Sequence, residues 1–423
     1  MILALLIALP LLFQEPEPKL THGPLRGACD TMSIDFWARA SVPGEYTLEL
    51  KQADRSGPAP VVSKAEVEND LTLHWHIEEL AQGAKYSCRI QSGKLTLYDS
   101  GERTFEATIS DSDSKATLVF GSCCEEKLRP DQPIWGTIES THPDALVLLG
   151  DTPYIDSTNL GVQRSAYREF FNFAPIRRSL LGMSCYFTWD DHDYASNDQY
   201  GLITGRENSR RAFLEYHASQ NLGVDGEGIF TSFRRGPVEV FVLDTRWFAD
   251  IEPSVLAKDR RSLLGAKQSA WLKHGLLSSS APFKILTCGM VWNDAVRPGK
   301  KDCWGNWLDE RDGLLRWIGE KHISGLVLVG GDIHRSRVIL HPFKSMVGYD
   351  VPEFISSPLA QSVIEAAKVD APGLLFDVGA PASFLWMQTG HTDRGLEIRG
   401  RVFDGAGTQL FEKSFSMTEL FAR

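Results

Sequence analysis

Several apolar runs in the sequence end directly in polar or ionisable residues, and this feature limits the possible folds more than any other. The runs lie in residues 116–126, 144–156, 185–193, 238–246, 283–294 and 325–336. Helix-like segments separate some of them, namely Ser165–Leu180, Arg206–Gln220, Ala266–Leu277 and Glu310–Lys321. Continuous apolar strands that alternate with helices predict an α/β domain with a buried sheet.

Ionisable side chains collect at the predicted carboxyl ends of these strands, where open α/β sheets bind their ligands. They are Cys123, Asp151, Asp190, Asp191, Asp244 and Asp332. A single Asp after a strand is a common loop residue, but here the pattern repeats, and two of the ends carry a histidine within two residues. Carboxylates with imidazole favour a catalytic two-metal site over a closed structural zinc site. Two such cations can hold a phosphoryl group and supply a hydroxide nucleophile.

The first hundred residues have a different pattern, with short alternating runs separated by turn residues. This pattern predicts a small all-β sandwich, of the fibronectin III or immunoglobulin type, over residues 19–112. Tyr86 follows a glycine turn, as in the tyrosine corner of such sandwiches. Another kind of small β-domain is the alternative. Residues 110–115 form the predicted linker, and a catalytic domain is expected over 116–423, ending in a hairpin that turns at Asp404 and Gly405.

The amino terminus carries an apolar run from Ile2 to Phe13 that is too short to cross a bilayer. Its length suits a secretory signal, predicted over residues 1–18, although no basic residue precedes it and no small-x-small site follows. A buried strand or helix start is the alternative. No later run could span a membrane, so we expect a periplasmic or secreted protein. The net charge of −11 disfavours nucleic-acid binding other than as a substrate.

The seven cysteines are an odd number and include no C-x-x-C pair, so they fit neither a disulfide scaffold nor a zinc ribbon. At least one thiol must therefore be free or bind a metal. Cys29 and Cys88 are the two cysteines of the predicted sandwich. Export would allow a bridge between them, while two separate buried thiols are the alternative.

A series of motifs from about Ala116 to the end resembles the alkaline phosphatase D (PhoD-like) family of metallophosphoesterases. In chain order, the motifs are Gly121-Ser122-Cys123, Gly150-Asp151-Thr152-Pro153-Tyr154, Trp189-Asp190-Asp191-His192-Asp193, Asp244-Thr245-Arg246, Gln268-Ser269-Ala270-Trp271-Leu272, Asp302-Cys303-Trp304 before Glu310-Arg311, Gly331-Asp332-Ile333-His334 and Ser356-Ser357-Pro358-Leu359. The resemblance implies a layered α/β/β/α metallophosphoesterase fold behind the sandwich. It also implies hydrolysis of phosphomonoesters or phosphodiesters by a metal-bound hydroxide at alkaline pH.

The resemblance further implies an iron (Fe3+) and a calcium (Ca2+) position, although the ligand types also admit other divalent metals. The implied ligands are Cys123, Tyr154 and His334 for iron, Asp191, Asp332 and Asn197 for calcium, and Asp151 as the bridge. His192 resembles the histidine that meets the phosphate and protonates the leaving oxygen. For Arg246 we weigh two interpretations, a catalytic contact with phosphate and an ion pair with a neighbouring Asp.

Some positions depart from the family pattern, among them Asp156 and Asp193, which stand where Glu is common. These changes bear on substrate preference and on the surroundings of the ligands. The sequence therefore does not identify which phosphate ester is hydrolysed, and it does not indicate the oligomeric state. Two alternative functions remain. One is an enzyme that resembles purple acid phosphatases, and the other is an inactive scaffold that acts as a surface binding protein.

Overall fold

The computed structural model describes residues 16–52, 55, 57–102, 104–106, 115–180, 182–219, 221–257 and 259–422. Residues 1–15 of the predicted signal segment and 110–114 of the predicted linker lie outside these ranges. Among the described helices, none combines the length and the apolar character that a membrane span requires.

The N-terminal region is a β-sandwich, as predicted. Its strands are β1 (Leu20–Cys29), β2 (Ile34–Ala40), β3 (Gly44–Lys51), β4 (Val61–Ala65), β5 (Thr72–Ile77), β6 (Lys85–Ser92), β7 (Leu95–Asp99) and β8 (Phe105–Glu106). Every second residue along β3 and β6 is buried, which is the period of a strand with one face on a core. Trp75 of β5 packs there with Tyr46 of β3. The backbone N–H of Ala81 donates to Tyr86 Oη at 2.9 Å, as expected of a tyrosine corner.

Strand pairing joins this sandwich to the rest of the chain. The strand β1 runs parallel to β11 (Ser184–Thr188), with Arg26 opposite Ser184. The strands β1, β2 and β5 therefore extend a sheet of the C-terminal region to nine strands. The division into domains 19–112 and 116–423 stays a prediction. The sequence analysis did not predict a sheet that crosses this division, because the residue pattern of a strand does not indicate which other strand pairs with it.

The residues from 115 onward form two large sheets. Besides β11, the nine-stranded sheet contains β9 (Thr117–Gly121), β10 (Ala145–Leu149), β19 (Ser383–Thr392), β20 (Gly395–Asp404) and β21 (Gln409–Ser416), in the order β21-β20-β19-β9-β10-β11-β1-β2-β5. The second sheet contains β12 (Thr231–Arg235), β13 (Val238–Val242), β14 (Phe283–Thr287), β15 (Leu326–Gly330), β16 (Ser336–His341), β17 (Val351–Ile355) and β18 (Leu374–Val378), in the order β12-β13-β14-β15-β17-β16-β18. The six apolar runs form β9, β10, β11, β13, β14 and β15, and the predicted final hairpin is β20–β21.

Helices cover the outer faces of both sheets. They are α1 (Ile134–Ser140), α2 (Leu160–Asn172), α3 (Ala174–Leu180), α4 (Asp191–Tyr194), α5 (Arg206–Tyr216), α6 (Gly265–Ser278), α7 (Leu308–Glu320) and α8 (Lys344–Val347). In β10, Val147 and Leu149 belong to the core shared with the second sheet, whereas Leu146 and Leu148 pack with α1 and α2. This alternation places one helical layer outside the first sheet, and α6 and α7 pack on the second. The predicted α/β/β/α layering is confirmed.

The predicted helix over Ser165–Leu180 is two helices that meet at Phe173, where the backbone is extended. Pro175 lies in the first turn of α3, where its missing N–H is tolerated, whereas inside one long helix it would remove a hydrogen bond. The other three predicted helices correspond to α5, α6 and α7.

All seven cysteines are buried, and Cys29 is not bonded to Cys88. The bridge between Cys29 and Cys88 is therefore wrong, and the alternative of two separate buried thiols holds. Burial raises the pKa of the Cys88 thiol to about 12.

Candidate metal centre

The predicted ligands converge at the carboxyl ends of β9, β10, β11 and β15. Cys123 and Asp151 each follow their strand by two residues, and so does Asp332. These three residues and His334 have left-handed backbones, with φ between 51° and 72°. Such a conformation is costly for Cys and His, and residues held in it cluster at functional sites.

A close approach of two loops brings Asp151 beside Asp190. Gly150 has φ +90°, and a Cβ at this position would lie 2.2 Å from the backbone nitrogen of Asp190. Only a glycine therefore fits between the ends of β10 and β11.

The first group of ligand atoms belongs to Cys123, Asp151 and His334, which lie within 4.8 Å of one another. Tyr154 Oη lies 3.0 Å from His334 Nε2, so the fourth predicted ligand of this group is in place. His334 Nδ1 contacts the carbonyl oxygen of Ser362 at 2.7 Å, which assigns the proton to Nδ1 and leaves Nε2 to face the group.

Burial governs the proton affinities of this first group. Burial, followed by the nearby carboxylate of Asp151, raises the pKa of the Cys123 thiol well above its usual range. Burial and then Cys123 do the same to the pKa of Tyr154. Burial lowers the pKa of His334 to about 4, so its imidazole is neutral at pH 7 and able to bind a metal. A cation among these atoms would reverse the shifts of the thiol and the phenol.

The second group consists of carboxylates around Asp151. Ligand atoms of Asp151, Asp191 and His192 lie within 4.8 Å of one another, as do those of Asp151, Asp190 and Asp332. The buried Oδ2 atoms of Asp190 and Asp332 accept no hydrogen bond. Burial and then repulsion from Asp191 raise the pKa of Asp151 well above its usual range. Asp332 Oδ2 faces the ammonium of Lys300, whereas Asp190 Oδ2 has no donor. A buried oxygen without a donor, among mutually repelling carboxylates, fits a bound cation.

Asn197 is the remaining predicted ligand. Its side chain is exposed, whereas the backbone N–H of the next residue, Asp198, donates to Asp191 Oδ2 at 2.6 Å. The assignment of Asn197 to a metal stays a prediction.

His192 lies at the rim of the centre, with 19% of its side chain exposed. Its Nδ1 is 2.7 Å from Asp156 Oδ1, and its ring centroid lies 4.5 Å from that of Tyr154, with the two ring planes tilted by 49°. The carboxylate of Asp156 therefore fixes the orientation of the imidazole at the edge of both groups.

Arg246 is completely buried, and its predicted role as a catalytic residue in contact with phosphate stays a prediction. Its Nε donates to Asp190 Oδ1 at 2.8 Å, and one terminal nitrogen donates to Asp302 Oδ2 at 2.8 Å. Arg246 therefore forms the ion pair with neighbouring aspartates that the second interpretation predicts. The guanidinium holds two carboxylates in place behind the centre.

Two residues of the centre escaped the sequence analysis as site residues, Asp302 and Lys300. Lys300 Nζ lies 2.8 Å from Asp302 Oδ1 and 2.5 Å from Asp332 Oδ2. Asp302 belongs to the D-x-W motif, so the sequence did contain a signal that indicates a site residue at this position. No pattern marks Lys300, because it lies in a loop with no fixed spacing to any strand end.

Comparisons with known proteins agree with this geometry. A family model described as "PhoD-like phosphatase" matches residues 118–392. Alkaline phosphatase D of Bacillus subtilis (strain 168) is 24% identical over 203 residues, which are 41% of this chain and 35% of that protein. The chain thus matches about a third of the length of this relative.

Two solved structures share the fold. The structure of PhoD has a TM-score of 0.72 at 17% identity and covers 94% of this chain and 92% of its own. The purple acid phosphatase PPD1 of yellow lupin (Lupinus luteus) has a TM-score of 0.69 at 12% identity, over 93% of this chain and 74% of its own. Because the family model spans well over half of the sequence, the chain belongs to the PhoD-like phosphatase family.

Proposed function

We propose that this protein is a metal-dependent phosphoesterase that hydrolyses phosphomonoesters, phosphodiesters or both at alkaline pH. The observation that carries the proposal is the cluster of thiol, phenol, imidazole and carboxylate groups at the strand ends of both large sheets, with a buried oxygen of Asp190 that accepts no hydrogen bond. Family membership supports the same reaction class.

The two groups of ligand atoms differ in chemistry, and we assign a different ion to each. Cys123, Tyr154 and His334 offer sulfur, phenolate oxygen and nitrogen, which suit an iron ion. Asp191 and Asp332 offer hard carboxylate oxygens, which suit calcium or another divalent ion, with Asp151 between the two positions. When bound, such cations would act as Lewis acids and lower the pKa of a coordinated water, which favours turnover at alkaline pH.

The residues at the rim bind the ester and move a proton. His192 is held by Asp156 through Nδ1, so its other nitrogen is the one available to the leaving oxygen. A polar cleft of about 480 Å³ begins beside Asp156 and can receive the alcohol of the ester. Its lining includes Ser157, Thr158, Ser196, Gln199 and Thr204.

We also propose that the protein acts outside the cytoplasm, in the periplasm or after secretion. The apolar run at the amino terminus supports this location. The seven buried cysteines are compatible with it, because burial keeps thiols from oxidants.

The test of the function is hydrolysis of 4-nitrophenyl phosphate and bis(4-nitrophenyl) phosphate between pH 6 and 10. We expect turnover to rise toward alkaline pH and to disappear after chelation verified by elemental analysis. Asp191→Asn and Asp332→Asn should each lower turnover by more than about a hundredfold. Loss of a residue that only supports a metal ligand lowers activity by about 10–100-fold, and loss of the ligand itself should lower it further.

The matched control is Asp350→Asn, which makes the same change at an exposed position. It should retain the turnover of the unaltered protein. Full turnover of the metal-free protein, or of both ligand variants, would disprove the proposal. No turnover of either ester by the metal-loaded protein would instead favour the alternative of an inactive scaffold.

A further inference from the structure

Lys300 places an ammonium group inside the carboxylate cluster. Only 3% of its side chain is exposed, and its Nζ lies 2.8 Å from Asp302 Oδ1 and 2.5 Å from Asp332 Oδ2. The contact with Asp332 is an ion pair without hydrogen-bond geometry, since that oxygen accepts no hydrogen bond.

The neighbours of Lys300 keep its ammonium charged. Its Nζ lies between the carboxylates of Asp302 and Asp332, and two adjacent negative charges favour the charged form of an amine. Asp302 is shared, since its Oδ1 contacts Lys300 and its Oδ2 accepts from Arg246. A buried ion pair of this kind is held by its partners, and removal of one charge leaves the others uncompensated.

The carboxylate of Asp332 contacts Lys300 on one side and faces the other predicted metal ligands on the other. One oxygen of Asp332 lies within 4.8 Å of oxygens of Asp151 and Asp190, while Asp332 Oδ2 lies against the ammonium of Lys300. A divalent cation held by Asp332 would therefore bind close to a fixed positive charge. Like charges at such a distance repel strongly in a buried site, where the effective dielectric constant is low.

We propose that the ammonium of Lys300 occupies part of the metal position formed by Asp191 and Asp332, and that it weakens the binding of a divalent ion there. The ammonium neutralises part of the carboxylate cluster when the divalent ion is absent and opposes that ion when it binds. Lys300 is thus a positioning residue that makes this ion exchangeable, whereas the ion held by Cys123 and His334 lies beyond its contacts. The inference rests on the metal ligands proposed above.

The experiment measures Ca2+ binding by calorimetry on the full chain after EGTA has removed loosely held divalent ions. We compare the unaltered protein with Lys300→Met, which keeps the length of the side chain and removes its charge. Lys301→Met is the matched control, because this neighbouring lysine is exposed. We expect Lys300→Met to bind Ca2+ at least about tenfold more tightly, since one nearby positive charge is lost, and Lys301→Met to be unchanged.

An affinity of Lys300→Met that is equal to or weaker than that of the unaltered protein would overturn the proposal. Lys300→Gln, which keeps a donor for Asp302, should behave like Lys300→Met. If the neutral variants unfold without metal, recovery of the fold on Ca2+ addition supports the proposal, and failure to recover contradicts it. Because calorimetry needs no turnover, this outcome is independent of the ester assays. Absence of Ca2+ binding by every variant would count against the proposed metal site itself.

Discussion

The residues of the centre are held in conformations that their own chemistry disfavours. Cys123 and His334 have left-handed backbones, and Cys123 and Tyr154 have pKa values that burial raises well above the usual range. The surrounding fold maintains both features, which is typical of sites that gain their stability from a ligand. A cation that deprotonates the thiol and the phenol would supply that stability.

We expect the iron-loaded protein to be coloured, because ferric thiolate and phenolate bonds absorb visible light. Cys123→Ser and Tyr154→Phe should each shift or weaken the absorption. Tyr98→Phe, in the outer sheet of the sandwich (β3, β4, β6 and β7), is the control and should leave the absorption unchanged. The measurement is a visible spectrum with iron quantified by elemental analysis. A spectrum that neither ligand variant alters, or a protein that takes up no iron, would show that the assignment is wrong.

At the scale of the elements, parallel strands of equal length bring the ligands together. The strands β9, β10 and β11 are parallel neighbours in one sheet, and β15 ends at the same edge in the other. Each strand has five buried residues, so the loops that follow start at a common level. The ligands therefore meet because the strands end together.

The turn after β10 should be especially sensitive to substitution. Gly150→Ala places a Cβ against the backbone of Asp190 in a left-handed conformation, and we expect a loss of about 2–5 kcal/mol in the free energy of unfolding. Metal content should fall as well, because Asp151 and Asp190 are forced apart. Gly136→Ala is the control, since the exposed Gly136 of α1 has no neighbouring atom within 4 Å of its added Cβ. That variant should gain up to about 1 kcal/mol from helix propensity. Equal stability of the two variants would refute the steric argument.

At the scale of the whole molecule, the sandwich is bound to the C-terminal region by polar contacts as well as by strand pairing. Trp37 Nε1 donates to the carbonyl oxygen of Glu215 at 2.7 Å. Asp70 accepts hydrogen bonds from Arg168 at 2.5 Å and from Tyr216, both on helices of the C-terminal region. Buried and partly buried contacts of this kind couple the two regions, so we expect them to unfold together.

Removal of the charge at Asp70 should weaken this coupling. Asp70→Asn is expected to lower the free energy of unfolding by about 1–3 kcal/mol, because hydrogen bonds to charged groups are lost between the two regions. Asp99→Asn is the control, since Asp99 pairs with Arg89 within the outer sheet. Scanning calorimetry should show one transition for the unaltered protein and a lower midpoint for Asp70→Asn alone. Two separate transitions in the unaltered protein would contradict the coupling.

The sequence by itself determined the strands of the two large sheets, the alternation of strands with helices and the ionisable residues at the strand ends. Burial of a strand on both faces requires an apolar run, and a residue directly after such a run can lie only at that end of the sheet. The positions of Cys123, Asp151, Asp191 and Asp332 were therefore predictable. Only the tertiary structure decided that Arg246 faces inward, that Lys300 enters the carboxylate cluster and that β1 pairs with β11. These three depend on which loops and edges meet across long stretches of chain, and no local pattern of residues carries that information.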